Sequence, residues 1–151
     1  MNNTCFNGDV GEMIVATELI KNGIDVCKSL MNNKMYDFII IGNNGLGSPK
    51  KIQVKSSTTF NGEKVTFTLK TTRLIQGKWI YKTYQEGDVD YLFCVNNQTN
   101  DVFLLEPNDF IGKTAFSIRY IPSNSTNTTI SKYYEDYILS NNIDKLNTSL
   151  V

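Results

Sequence analysis

The chain has 151 residues, of which 40% are hydrophobic and 20% charged, and its 15 basic and 15 acidic residues leave a formal net charge of zero. Length and composition favour one folded domain over residues 1–151 and exclude a disordered chain. Histidine is absent, which excludes Ser–His and Cys–His nucleophile pairs, histidine bases and histidine-held zinc; chemistry falls to carboxylates, lysine, tyrosine or a hard metal ion.

The first residues, MNNTCFNGDV, have neither a basic start nor an apolar run, so no signal peptide is expected. Residues 9–22, DVGEMIVATELIKN, read as a helix. Val10, Met13, Ile14, Leu19 and Ile20 would form its buried face, with Asp9 as N-cap and Gly23 as stop. Residues 24–30 read as a short strand, followed by a turn at Asn32-Asn33. Residues 35–41, MYDFIII, and 50–56, KKIQVKS, read as two strands joined by a Gly/Asn/Pro turn. Phe38–Ile41, like every other purely apolar run here, is far too short to span a membrane. Residues 64–70 alternate apolar Val65, Phe67 and Leu69 with polar neighbours, as a half-buried strand does.

Residues 71–88 read as irregular, with Trp79, Tyr81 and Tyr84 expected in the core. Residues 89–96 and 101–106 read as paired strands. A helical turn beginning near Pro107 leads to a strand at 115–121, a polar loop at 122–129 and a closing helix at 130–143. That order predicts an α/β fold with a central mixed β-sheet flanked by helices. Cys5, Cys27 and Cys94 are widely spaced and odd in number, which fits free thiols in a reducing, cytoplasmic compartment.

Strand side chains alternate faces, so Gln53 and Lys55 share one face while Ile52 and Val54 share the other. If residues 35–41 pair with 50–56, Asp37 meets Gln53 and Lys55 at one sheet edge. Phosphodiester cleavage needs such a set. Oxygen ligands hold a divalent cation that polarises the phosphate and lowers the pKa of water, and an ammonium offsets the charge that builds on the phosphate. Asp37 supplies a carboxylate, Gln53 and the main-chain carbonyl of Val54 supply neutral oxygens, and Lys55 is the amine. Each residue also has a plain structural reading. Asp37 is then a strand-start acid, and Gln53 and Lys55 the solvent face of an ordinary strand.

Charge is segregated along the chain. Lys50 to Lys82 contain eight basic residues and one acid, Glu63, whereas Glu86 to Asp109 contain six acids and no base. Lys50, Lys51, Lys70, Arg73, Lys78 and Lys82 form a candidate phosphate-binding set, with Ser56 and Ser57 beside the motif. The competing reading is a chance fluctuation in a Lys- and Asn-rich sequence.

An Asp, a hairpin and then Gln-X-Lys resembles the PD-(D/E)XK nuclease superfamily in its variant with Gln for the usual Glu. The order helix–strand–strand–strand agrees, and GDVGE, Gly8 to Glu12, resembles the Gly-X-X-X-Glu that opens the first helix of many members. Over roughly residues 8–139 the layout is similar to the small endonucleases of group I introns, through GDVDYLFCV and VFLLEP as well as the motif itself. The resemblance implies a restriction-endonuclease-like core, Mg²⁺- or Mn²⁺-dependent site-specific cleavage of double-stranded DNA, and a homo-oligomer, dimer or tetramer. It also implies that Glu12 brings a further carboxylate to the metal site. Against this, Asp9 and Glu12 read equally as a helix-capping pair. Tyr36 stands where the motif has Pro, and Gln53 carries one negative charge less than Glu, which weakens metal affinity unless Glu12 compensates. A junction resolvase that reads four-way DNA by shape, and a non-catalytic DNA- or protein-binding module with the same fold, are the alternatives.

Overall fold

The computed structural model describes residues 3–31, 35–57, 59–123 and 132–147, and the side chains of all of these except 3–5 and 72–74. The expected turn at 32–33 and most of the loop at 122–129 lie outside them.

Helix α1 spans Asn3–Lys21 and so begins well before Asp9. Asp9 and Glu12 therefore lie inside the helix, and the capping reading of that pair is excluded. Asn7 and Gly8, weak helix formers, are carried by tertiary contact, for Ser56 Oγ donates to the Asn7 carbonyl at 3.1 Å. The buried stripe is also displaced from the expected one. Gly11, Val15 and Leu19 face inward, whereas Met13 is 71% and Ile20 62% exposed. Gly11 sets this orientation: a Cβ there would lie 2.6 Å from Ser56 Oγ, so the bare backbone is what lets the helix lie directly on the sheet. Val15 and Leu19 are fully buried, which stabilises the packing by about 1.5–3 kcal/mol per side chain.

After α1 come β1 (Asp25–Lys28), β2 (Phe38–Ile41), a single turn α2 (Gly42–Gly45), and β3 (Lys50–Ser56). In α2, Asn43 and Asn44 both take left-handed backbone with φ 52°, a conformation Asn tolerates better than most residues. Asn43 N–H donates to Asn147 Oδ1 at 2.7 Å and Asn44 N–H to the Gly23 carbonyl at 3.1 Å, which anchors the turn. Next follow β4 (Thr59–Phe60), β5 (Lys64–Thr68), β6 (Thr71–Ile75), β7 (Lys78–Lys82), β8 (Tyr91–Asn96), β9 (Asp101–Leu105), α3 (Pro107–Phe110) and β10 (Ala115–Arg119). Three short helical turns, α4 (Tyr134–Tyr137), α5 (Leu139–Asn142) and α6 (Asp144–Asn147), end the described chain.

The main sheet has the order β1-β2-β3-β8-β9 and is mixed: β3 and β8 run parallel, the other pairs antiparallel. Alternation along β8 and β9 feeds two cores. Phe93, Val95, Val102 and Leu104 join Val15, Leu19, Ile52 and Val54 under α1. Leu92, Cys94, Phe103 and Leu105 face Val65, Phe67 and Phe116 of a second sheet, β10-β5-β4, together with Tyr84 and Phe110. The α/β architecture with a central mixed sheet is as the sequence predicts.

Two expected elements are corrected. Residues 71–88 are not irregular, since β6 and β7 form an antiparallel ribbon. Its side chains are exposed throughout β7, so no burial pattern betrayed it. The closing helix is interrupted at Ile138, which takes extended backbone (φ −56°, ψ 134°) and forms a β-bridge with Phe103. Among the described residues, no helix is long and apolar enough to cross a membrane.

Candidate active site

The β2–β3 hairpin brings three of the four expected groups together. Antiparallel pairing aligns Phe38 with Ile52, and the Asp37 N–H continues the ladder by donating to the Ile52 carbonyl at 2.8 Å. This fixes the backbone of Asp37 one residue before β2. Its carboxylate oxygen Oδ2 then accepts two hydrogen bonds, from Gln53 Nε2 and from the Val54 N–H, each at 2.7 Å. A strand residue directs its N–H and C=O toward the same neighbour, so the Val54 carbonyl faces the same side as Asp37, beyond the end of β2.

Lys55 lies on the same face as Gln53, paired across the sheet with Cys94. Its ammonium sits over the ring of Tyr84, 5.7 Å from the centroid. Burial pulls its pKa below the ordinary lysine value of 10.5, against the opposing attraction of Asp37. Burial is also the main cause that raises the Asp37 pKa above 3.8. The Val54 N–H and the Lys55 and Lys28 charges pull it down, while the Glu12 carboxylate pushes it further up.

Glu12 approaches from α1 on the helix-covered side, and its carboxylate is held by the Lys28 ammonium at 2.7 Å. Lys28 was not anticipated; β1 offers only a lone Lys at a strand end, which carries no signal. The contact raises the Lys28 pKa. Gly11, one residue before Glu12, is the glycine that allows the approach; Gly8 meets nothing within 4 Å.

Whether these residues suit a cation can be read from their donor chemistry. Asp37 is a half-buried carboxylate whose negative form is disfavoured by burial and by the second carboxylate of Glu12, and a positive ion relieves both penalties. The available donors are all oxygen, which selects a hard divalent cation. No three His, Cys, Asp or Glu side chains gather to hold a metal among the described residues, so two carboxylates would need the neutral oxygens of Gln53 and Val54. Gln53 now presents its NH₂ to Asp37; presenting its carbonyl instead takes a half-turn of the amide.

The expected DNA contacts divide into two groups. Ser56 and Ser57 are tied into the protein, Ser56 to Asn7 at 3.1 Å and Ser57 to the Asn97 N–H at 3.4 Å. Lys50 and Lys51 lie at the opposite end of β3, and the Lys51 ammonium donates to the Gly87 carbonyl at 2.7 Å. Lys78 and Lys82 are exposed on the ribbon, and Lys70, just before it, rests over the Tyr81 ring at 5.6 Å. Arg73 pairs in register with Ile80, its side chain lying outside the described atoms. The aromatic residues of this region also divide, for Tyr84 is fully buried while Trp79 and Tyr81 are 66% and 68% exposed.

A family model for PD-(D/E)XK endonucleases matches residues 2–140. Among solved structures, the bacterial homing endonuclease I-Ssp6803I is similar, with a TM-score of 0.71 and 18% identity over 93% of this chain and 92% of that one. At that identity the likeness is one of fold, and it matches the mixed sheet and flanking helices. A comparison with curated proteins gives no match.

Proposed function

The chain belongs to the PD-(D/E)XK endonuclease family, and on that premise we propose that it is a metal-dependent, site-specific endonuclease acting on double-stranded DNA. The observation that carries this reading is the junction at Asp37 Oδ2, where the carboxylate, the Gln53 amide and the Val54 main chain meet within 2.7 Å, with Lys55 on the same sheet face. Asp37, Glu12, the Gln53 carbonyl and the Val54 carbonyl would hold Mg²⁺ or Mn²⁺, which would polarise the phosphate and acidify water.

The remaining chemistry belongs to the chain. Lys55, with its pKa lowered by burial, takes a proton from the attacking water more readily than an exposed lysine and offsets charge on the phosphate oxygens. Attack of the water oxygen on phosphorus breaks the bond to the leaving sugar oxygen, which takes its proton from solvent. Glu12, now held by Lys28 at 2.7 Å, would have to leave that ammonium to serve as a ligand.

The ribbon is the second part of the reading. A two-stranded β-ribbon fits the major groove, and Lys70, Lys78 and Lys82 with Arg73 would supply phosphate contacts there. Cutting both strands with one site per chain favours a homo-oligomer, a dimer or tetramer. The exposed Phe6, Met13 and Ile20, spaced seven residues apart along α1, support that. Similarity to a homing endonuclease favours a homing role of the group I intron kind. The free thiols of Cys27 and Cys94 agree with a reducing, cytoplasmic setting, and the family match over 2–140 with treating 1–151 as one domain.

The test is cleavage of supercoiled plasmid and of a library of duplex sites with Mg²⁺ or Mn²⁺, wild type beside Lys55→Ala. Metal-dependent cutting at a discrete site, lost in the variant, is the expected result. Cutting confined to four-way junctions would make the protein a resolvase. DNA binding without cutting by the wild type would make it a binding module.

A further inference from the structure

Tyr84 is fully buried, yet its hydroxyl has no hydrogen-bond partner. Buried polar groups are paired in the great majority of cases, so an unpaired one calls for an explanation such as a bound water or ion. The rest of the side chain is well placed in the core: its ring packs edge-on against Phe110, with centroids 5.7 Å apart. Retaining Tyr where Phe would fill the same space therefore keeps an oxygen whose hydrogen-bonding capacity the protein itself does not use.

The surroundings of that oxygen identify what it faces. The Lys55 ammonium sits over the Tyr84 ring. Among its ionisable neighbours Asp37 acts on the phenol most strongly, ahead of Asp88, and the buried, uncharged Cys94 thiol lies close as well. Cys94 is itself the cross-strand partner of Lys55. Tyr84 thus lies under Lys55 on the second-sheet side of the main sheet, on the face from which Gln53 reaches Asp37, and within electrostatic reach of that carboxylate. One Asp37 oxygen already accepts both the Gln53 and the Val54 hydrogen bonds, which leaves the other as an acceptor.

We propose that the Tyr84 hydroxyl holds a water molecule shared with the Asp37 carboxylate and flanked by the Lys55 ammonium, and that Tyr84 is thereby a positioning residue for Lys55. The water accepts from the phenol O–H and donates to the carboxylate, so it has the two or more polar partners that a buried water requires. The ring carries the ammonium, and the hydroxyl, through the water, fixes where that ammonium points. The assignment rests on the nuclease reading only for its consequence in catalysis; the water itself is independent of it.

Two measurements test the assignment. A high-resolution crystal structure of the metal-free wild type is expected to contain a water at about 2.8 Å from both Tyr84 Oη and an Asp37 oxygen; a dry hydroxyl would overturn the proposal whether or not the protein cuts DNA. Tyr84→Phe keeps the ring and removes only the hydroxyl. Single-turnover cleavage by this variant is expected to fall about tenfold to a hundredfold, with a displaced pH–rate profile, unchanged DNA affinity and an unchanged urea midpoint. Wild-type rate and pH profile in the variant would sink the positioning role, as would parallel losses of rate and fold stability. A wild type that never cuts, but has the water, would refute the nuclease reading and leave the water site standing.

Discussion

The β2–β3 hairpin and the β6–β7 ribbon both carry lysine on antiparallel strands, but they hold it in different media. In the first, Lys55 is lodged between the sheet and Tyr84, and burial lowers its pKa. In the second, Lys78 and Lys82 stand in water on β7, whose side chains are exposed throughout. A buried amine is tuned for proton transfer and is placed by packing. An exposed ammonium acts through its charge, weakens with salt and needs no fixed position. The same residue type therefore predicts different losses in the two places.

The largest expected loss is at the hairpin. Asp37→Ala and Lys55→Ala should each cut the single-turnover cleavage rate by about a thousandfold while leaving the protein able to bind DNA in a filter assay. A variant that loses binding as steeply as cleavage would erase the distinction between the regions. Next comes the ribbon. Lys78→Ala with Lys82→Ala should weaken DNA binding about tenfold or more at physiological salt and reduce the salt slope by about one per lysine. Its rate at saturating DNA should stay at the wild-type value.

Stability separates the regions less sharply. Gly11→Val would push α1 off β3 at Ser56, at a cost of about 1–3 kcal/mol in urea unfolding. Trp79→Ala, on the exposed ribbon, should stay within about 0.5 kcal/mol. The smallest effect is a pH dependence in the metal-free protein. Because the folded Asp37 pKa is raised above 3.8, the fold keeps a proton that the unfolded chain has already released. Its contribution is fully present below pH 3.8 and is lost as pH rises through the raised value. Asp37→Asn should flatten that limb of the stability curve.

Much of this was legible in the sequence. Period-two alternation marks β3 and β5, and the polar pair Gln53 and Lys55, on the opposite side from Ile52 and Val54, marks the candidate site. The misses have physical reasons. The inward stripe of α1 was misjudged because Gly11 buries backbone, which a count of apolar side chains does not register. The ribbon was missed because its strand β7 is exposed on both faces, so no burial period marks it. The run of acids from Glu86 to Asp109 carries no sign of its structural duties, yet Asp90 accepts from the Lys51 N–H and Asp109 from the Glu106 N–H at the start of α3. Tyr84 and Trp79 lie five positions apart in similar company, and only the tertiary fold separates a buried phenol from an exposed indole.

The parallel contact between β3 and β8 also has a kinetic meaning. The hairpin joins neighbours in sequence, so Asp37 and Gln53 meet by closing a short loop. Lys55 reaches its buried place only when β8 arrives from the far side of the second sheet and the ribbon, and such distant pairings form slowly. Until then its amine is an ordinary solvated ammonium beside an incomplete site. On the nuclease reading, a chain still emerging or half refolded would accordingly be a poor hydrolase, and the appearance of cleavage during refolding would report the last stage of assembly rather than the first.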